Sequence, residues 1–236
     1  MVIYSRAVLY MVFSAIAFTA VNTLIRSLDH LSTFQLVFFR SIVSLLLCIA
    51  ILKARRIPYA GTNRRWLVAR GVVGFVSLAL FYWALKLMPI GTAVSLRYTS
   101  PFFAAFLAML FLGERMKGLQ WIFFSVAFLG VVTLKGVDLR ISFIAFSIIL
   151  ASALLSGTVY FIIRKIGTSE HPVVIVFYLI AISSGFGGLL GIFNWIPPKG
   201  TDWWLLLGFG TFGYLAQLFM IKALQMEKAN RIVPFK

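Results

Sequence analysis

The sequence is dominated by long apolar runs, each about as long as a helix needs to be to cross a lipid bilayer. Crossing the hydrocarbon core takes about 20 residues of α-helix, whereas a barrel strand is about ten residues long and alternates in polarity. The runs therefore predict an all-α fold, a polytopic membrane helix bundle with eight complete transmembrane helices and the start of a ninth. The eight runs cover about residues 7–25, 33–52, 66–87, 91–112, 118–135, 141–163, 172–194 and 203–224.

Composition excludes a water-soluble domain. Apolar residues make up 61% of the chain and charged residues only 12%, against about 25% charged in soluble domains. The net charge of +16 raises nucleic-acid binding as a possibility. However, the basic residues stand between the apolar runs, where they act as topology signals. The expected surroundings are the lipid bilayer, and no nucleic acid is expected as a partner.

The distribution of Lys and Arg near the run ends predicts the orientation. With the N-terminus inside, the inner connections carry ten basic residues and the outer connections five. Cytoplasmic loops are the ones enriched in Lys and Arg. We therefore expect an integral protein of a bacterial inner (plasma) membrane with a cytoplasmic N-terminus.

The chain contains a weak internal repeat. A shift of 138 residues aligns Ser14 with Ser152, and a shift of 139 aligns Gly71 with Gly210 and Gly74 with Gly213. Such a unit would hold five helices, so the second copy would enter the membrane upside down. Charge agrees, because the second loop of the first unit carries five basic residues and the corresponding loop of the second unit carries only Lys199.

This repeat predicts two domains and a function. Residues 1–138 form the first unit and residues 139–236 the second, which we expect to be incomplete because Arg97 aligns with Lys236. Helices nine and ten would then be absent. Inverted repeats are an architecture of secondary transporters, which bind solute between the halves near the midplane. The alternative is a truncated, non-transporting membrane fragment or assembly subunit.

Several short motifs resemble the EamA family of the drug/metabolite transporter superfamily. They are the stretch 91–101 that ends in Pro101, the turn 112–115 (Leu-Gly-Glu-Arg), Gln120, the Gly-Val-Val at 130–132, and Arg40 in the second helix. The resemblance covers essentially the whole chain. It implies ten helices in two inverted five-helix units, and export or uptake of a metabolite.

Two arginines are the sharpest candidates for substrate binding. Arg40 and Arg97 each lie about seven residues inside a predicted helix, which is roughly 10 Å below the outer face. A charge within the span costs about 2.5–3.5 kcal/mol, so it normally faces a cavity or a partner. Together they predict a site for an anionic or zwitterionic group. The alternative is that they snorkel to the headgroups or cap backbone carbonyls. For Arg70 and Lys222, nearer the cytoplasmic ends, we expect snorkelling.

Other polar and aromatic residues within the runs are weaker candidates. Pro101 removes a helix hydrogen bond, so hydroxyls just before it could line a cavity, unless the kink only shapes packing. Aromatic rings in the third run could stack on a solute or simply face lipid. Lone amides could bind a ligand or another helix. The residues concerned are Tyr98, Thr99, Ser100, Phe81, Tyr82, Trp83, Asn22 and Gln217, with Asn22 expected to face Tyr160 across the pseudo-twofold axis.

The acidic residues fall outside the predicted spans. All six Asp and Glu lie in loops or at run ends, so nothing in the sequence predicts a membrane-embedded proton relay. A membrane enzyme would need clustered Asp, Glu, His or Cys, and an ion channel would be built from identical subunits around one pore. We therefore expect no enzyme, no metal and no cofactor. The expected partner is a small metabolite, with a homodimer left open.

Overall fold

The computed structural model describes residues 2–112 and 142–227 and, between them, residues 118, 126, 129 and 130. Within these residues, the regular structure is helical throughout. Short 3-10 turns follow the sixth and seventh helices. The helices are α1 (Val2–Ser27), α2 (Thr33–Ala54), α3 (Arg64–Leu87), α4 (Ile90–Arg97), α5 (Ser100–Leu112), α6 (Phe143–Ile166), α7 (Pro172–Gly191) and α8 (Asp202–Met226).

Seven segments of the described chain are long and apolar enough to cross a membrane. Six are single helices, and α4 and α5 together make the seventh. Their bounds match seven of the eight predicted runs. The predicted run 118–135 and the turn 112–115 lie largely outside the described residues.

Large apolar side chains cover the outside of the bundle. Leu9, Ile16, Leu46 and Leu189 are each more than half exposed, and they lie on three different helices. Such a surface is unfavourable in water and suits lipid acyl chains. The protein is therefore an integral membrane protein.

The segment predicted as one helix over 91–112 is broken in its middle. Helix α4 ends at Arg97 and α5 begins at Ser100, with Tyr98 and Thr99 in a turn. Pro101 has no N–H to donate to the carbonyl of Arg97, and its ring opposes a continuous helix. The turn closes instead through the amide of Thr99, which donates to the carbonyl of Leu96 at 3.2 Å. This break points Arg97 into the bundle.

The helices pack chiefly in three pairs: α1 with α8, α2 with α7, and α3 with α6. Two buried serines tie the first and third pairs in the same way. Ser14 on α1 donates to the carbonyl of Ala216 on α8 at 2.9 Å. Ser152 on α6 donates to the carbonyl of Ser77 on α3 at 2.8 Å. In lipid these bonds are among the forces that hold helices together.

Glycines let the helices approach closely. A Cβ atom at Gly71 would lie 2.8 Å from the carbonyl oxygen of Tyr178 on α7. A Cβ atom at Gly210 would lie 3.1 Å from the carbonyl oxygen of Arg40 on α2. Only glycine fits at such contacts without moving a backbone.

The two ends of the bundle are closed by different contacts. At one end, which we call the His30 end, His30 Nε2 lies 3.0 Å from Asp202 Oδ2, and the amide of Ile196 donates to Gln35 Oε1 at 3.2 Å. At the other end, the Glu170 end, the loop that follows α2 contacts the turn between α6 and α7. The loops 55–63 and 195–201 therefore lie at opposite ends.

Candidate functional site

Two small adjoining cavities lie inside the bundle. Their volumes are about 50 Å³ and about 30 Å³, which is room for a few water molecules. Phe18, Leu78, Arg97 and Tyr160 line both of them, so the two are one interior space with a constriction. The first also contacts Asn22, Tyr82, Tyr98 and Ser100, and the second contacts Arg70, Ser77, Ser156 and Gln217.

Arg97 is held at the centre of this space by neighbours on two helices. Its Nη2 donates to Ser156 Oγ on α6 at 3.1 Å. Its guanidinium carbon lies 4.0 Å from the centroid of the Phe81 ring on α3, a cation–π distance. Its Nη1 is buried and has no hydrogen-bond partner among the residues that the structure describes.

A serine cluster positions the hydroxyl group that accepts the hydrogen bond from Arg97. Ser77 Oγ and Ser156 Oγ are 2.8 Å apart, and Ser77 Oγ also donates to the carbonyl of Ser152 at 3.0 Å. These bonds join α3 to α6. The acceptor that Arg97 uses is thus fixed by both helices.

Arg70 is placed differently from the prediction. Snorkelling was expected, and this prediction was wrong, because Arg70 is only 1% exposed. Its Nη2 donates to Gln217 Oε1 on α8 at 2.8 Å, while Nε and Nη1 have no partner in residues 2–112 and 142–227. Gly74, one turn further along α3, provides the room: a Cβ atom there would lie 2.5 Å from Arg70 Nη1. Lys222 is half-buried near the Glu170 end, 5.3 Å from the centroid of the Tyr10 ring.

Arg40 lies beside the cavities rather than on their walls. It is 2% exposed, and its Nη2 is 3.4 Å from the carbonyl oxygen of Gly213 on α8. A Cβ atom at Gly213 would lie 2.6 Å from Arg40 Nε, which has no partner. Arg40 remains within electrostatic reach of both Arg70 and Arg97.

The other candidates divide into two groups. Asn22 and Tyr160 line the same cavity, as expected for residues facing each other. Tyr82, Tyr98, Ser100 and Gln217 also reach the interior space. Two residues do not: Thr99 donates to the carbonyl of Leu96 at 2.7 Å, and Trp83 is 49% exposed on the outside of the bundle.

A larger vestibule opens at the His30 end. Its volume is about 620 Å³, and its walls include Arg26, Asp29 and Lys86. Tyr82 lines both this vestibule and the inner cavity. The Tyr82 hydroxyl is buried and has no partner within the described part of the chain. Tyr82 is thus the one described residue shared by the walls of the vestibule and the inner cavity.

Glu170 closes the opposite end of the bundle. Its Oε1 accepts bonds from the amide of Thr62 at 2.7 Å, the hydroxyl of Thr62 at 2.8 Å and the amide of Asn63. Gln225 on α8 donates to the Glu170 carbonyl at 2.9 Å. Desolvation raises the pKa of the carboxyl group, but the bonds from Asn63 and Thr62 outweigh it, so this pKa lies below its ordinary value.

Sequence reasoning missed Arg70, Glu170 and the serine cluster. One signal was available for Arg70: the glycine four residues later lies on the same helix face and leaves space for a long side chain. No signal marked Glu170, which looks like an ordinary loop acid. The serines are common in membrane helices, and their meeting depends on how α3 and α6 are rotated.

The fold and the site together define a multi-spanning helical membrane protein with a buried cationic cavity. The chain belongs to the EamA-like transporter family, whose profile matches residues 5–135. This membership supports a transport function.

Curated relatives extend the similarity beyond the family match. The chain is 28% identical over 231 residues to the pseudopaline exporter CntI of Pseudomonas aeruginosa, an alignment covering 94% of this chain and 80% of that protein. It is 29% identical over 178 residues to the riboflavin transporter of Vibrio cholerae, covering 72% and 58%. It is 25% identical over 211 residues to the S-adenosylmethionine uptake transporter of Rickettsia felis, covering 88% and 71%.

A solved crystal structure shares the fold. It superimposes with a TM-score of 0.70 at 17% identity, covering 99% of this chain and 81% of the other. At this identity the likeness concerns the fold alone.

Proposed function

We propose that this chain is a secondary transporter that moves a small metabolite by alternating access, with Arg97 at the centre of its binding site. The main observation that supports this proposal is the interior space. It holds Arg97 and Arg70 between helices from both ends of the chain, and none of its described polar residues is acidic. The metabolite in this proposal is anionic or zwitterionic, and the membrane is a bacterial inner membrane.

The site lies, in this proposal, between two inverted five-helix units. Two hydrogen bonds support the relation, because Ser14 and Ser152 differ by 138 positions and their acceptors Ala216 and Ser77 by 139. Contacts of the aligned glycines add support. A Cβ atom at Gly71 would meet Ile182, and one at Gly210 would meet Val43. Val43 and Ile182 are again 139 positions apart.

Alternating access is supported by the unequal ends of the bundle. The His30 end has the vestibule of about 620 Å³, whereas the Glu170 end is tied together by hydrogen bonds. The interior space, at about 50 Å³ and 30 Å³, is too small for a metabolite. Transport therefore requires Tyr82 to move on one side and the Glu170 contacts to open on the other.

The test is transport by the purified chain in lipid vesicles. Uptake and efflux are measured for a metabolite panel that includes riboflavin and S-adenosylmethionine, which relatives carry by name. The panel also includes organic acids and amino acids, because the cavity is cationic. We expect at least one of these solutes to move faster than through protein-free vesicles.

Two variants distinguish loss of the binding site from a general loss of structure. Arg97→Ala should abolish transport, and Arg65→Ala, which removes an exposed arginine at the start of α3, should leave it unchanged. Normal transport by Arg97→Ala would contradict the proposed site. No transport of any solute by the folded wild-type chain would contradict the proposed function.

A further inference from the structure

Three arginines converge on the centre of the bundle without a counter-charge. Arg40, Arg70 and Arg97 come from α2, α3 and α4, and none of them forms an ion pair within the described part of the chain. Each donates to a neutral acceptor: the Gly213 carbonyl, Gln217 Oε1 and Ser156 Oγ, respectively. Within helices α1 to α8 the one acidic residue is Asp202, at the first position of α8.

Such an arrangement is unfavourable for an empty cavity. Buried cations are normally paired, and an uncompensated charge away from water is strongly destabilising. Here Arg40 and Arg70 also reach acceptors only four residues apart on α8, so these like charges repel each other. A bound anion would remove both penalties.

Unused donors show where an anion would be held. Arg70 Nε and Nη1, Arg97 Nη1 and the Tyr82 hydroxyl are buried and have no partner among the described residues. Arg70 and Arg97 line the same cavity, and guanidinium groups bind carboxylate and phosphate oxygens with two parallel bonds. The gap between them is therefore suited to two negative charges rather than one.

We propose that the cavity, once widened by movement of Tyr82, binds a small organic dianion, either a dicarboxylate or a phosphomonoester, with Arg97 holding one charge and Arg70 the second. Arg70 is the specificity-determining residue, since its guanidinium distinguishes a dianion from a monoanion. Arg40, which packs on Gly213 beside the cavity, attracts the dianion over a longer distance without touching it. Calling the ligand a substrate rests on the proposed transport function; binding of the dianion does not.

The test is the thermal stability of the purified full chain with matched ligands. Succinate, its monoamide succinamate and the neutral diamide succinamide have similar size and differ in charge. Glycerol 3-phosphate with glycerol as its neutral control forms the second arm, and the arm that stabilises more identifies the acid type. We expect the dianion to bind at least about tenfold more tightly than its monoanionic or neutral counterpart.

Variants then assign the second charge to Arg70. Arg70→Gln should reduce the preference for dianion over monoanion by about tenfold, and Arg70→Lys, which keeps the charge, should retain part of it. Arg65→Gln, on the exposed start of the same helix, is the matched control and should change nothing. If Arg70→Gln does not fold, the inference is tested by the dianion preference of Arg70→Lys and by the order in which the ligands stabilise the wild-type chain.

Three results would overturn this inference: in both arms, equal stabilisation by the dianion and its neutral control; no stabilisation by either dianion; or an unchanged dianion preference in Arg70→Gln. Binding without movement of the dianion in vesicles would support the inference and count against the transport proposal. Transport of a neutral solute combined with charge-independent binding would support the transport proposal and contradict the dianion inference.

Discussion

At the residue scale, the cavity depends on two glycines that accommodate arginines. Arg70 folds back over Gly74 on its own helix, and Arg40 reaches across from α2 to Gly213 on α8. Gly74 and Gly213 are 139 positions apart, and so are Arg40 and Leu179, the side chain that contacts Gly74. Each half thus presents a glycine to a long side chain of the other half.

Adding one methyl group at Gly74 should displace Arg70. The new Cβ would lie 2.5 Å from Arg70 Nη1 and 2.7 Å from Leu179 Cδ1, so one of them must move. Overpacking of this kind costs about 1–3 kcal/mol, more than the gain of up to about 1 kcal/mol from removing a helical glycine. We expect Gly74→Ala to lower the melting temperature and weaken anion binding.

Gly185→Ala provides the matched control. Gly185 lies within α7, and nothing lies within 4 Å of a Cβ atom added there. Its melting temperature should be unchanged or slightly raised because alanine favours the helix. Equal effects of the two substitutions would contradict the tight contact at Gly74.

The residues of the site were only partly predictable, since membrane helices are apolar on every side. In a soluble helix the polar face reveals its rotation; here that information is weak. Tyr82 and Trp83 are neighbours in sequence, yet Tyr82 is 1% exposed and Trp83 is 49% exposed. Arg97 was predictable from its depth, whereas the inward turn of Arg70 depends on Gly74.

At the scale of elements, the ends of the helices are joined by a few strong contacts. The Glu170 carboxylate accepts bonds from the residues that precede α3, although it is attached to the turn before α7. Gly61 makes this approach possible, because its φ of +61° favours glycine and a Cβ there would lie 3.0 Å from Glu170 Oε2. This carboxylate therefore joins the loop before α3 to the turn before α7.

Removing this carboxylate should destabilise the bundle. Glu170 is 5% exposed, and a buried bond to a charged group contributes about 1.5–3 kcal/mol. We expect Glu170→Ala to lower the free energy of unfolding by about that amount, measured by denaturation in detergent. Asp29→Ala, which removes an exposed carboxylate at the opposite end, should have little effect. Similar losses in both variants would show that Glu170 has no special role.

The same contact predicts a dependence on pH. The pKa of Glu170 is lowered in the folded protein, so its stabilising effect is fully present above the ordinary carboxyl pKa of 4.5 and is lost as the pH falls through the lowered value. The difference in melting temperature between wild type and Glu170→Gln should thus be constant near neutral pH and shrink in acid. A difference that grows in acid would contradict the assignment.

At the scale of the whole molecule, the proposed inverted repeat makes a direct prediction about the two loops with unequal numbers of basic residues. Tyr59, 68% exposed, lies at the Glu170 end, and Lys199 lies at the His30 end. Single cysteines at these positions should react with a membrane-impermeant thiol reagent from opposite sides of the membrane. Cys48 is 0% exposed, so the natural chain is the unlabelled control. Labelling of both positions from one side would contradict this arrangement.

The fold was more predictable than the site. Length and apolar character locate membrane helices because lipid leaves the backbone few alternatives. Pro101 indicated a possible kink at the position of the break between α4 and α5, although the length of the apolar run 91–112 predicted a single helix. Run lengths do not reveal which helices touch; the pairing of α1 with α8 and of α3 with α6 depends on small residues such as Ser14 and Ser152.

The unequal side chains at the repeat-related glycines have an energetic consequence for the proposed transport cycle. If the two halves were identical, the outward-open and inward-open forms would be related by the twofold rotation and would be equally populated. From the opposite half, however, Gly213 receives the cation of Arg40, whereas the equivalent Gly74 receives the alkyl group of Leu179. The protein would consequently rest predominantly in one of the two forms, and the arrival of a negatively charged solute would redistribute it between them.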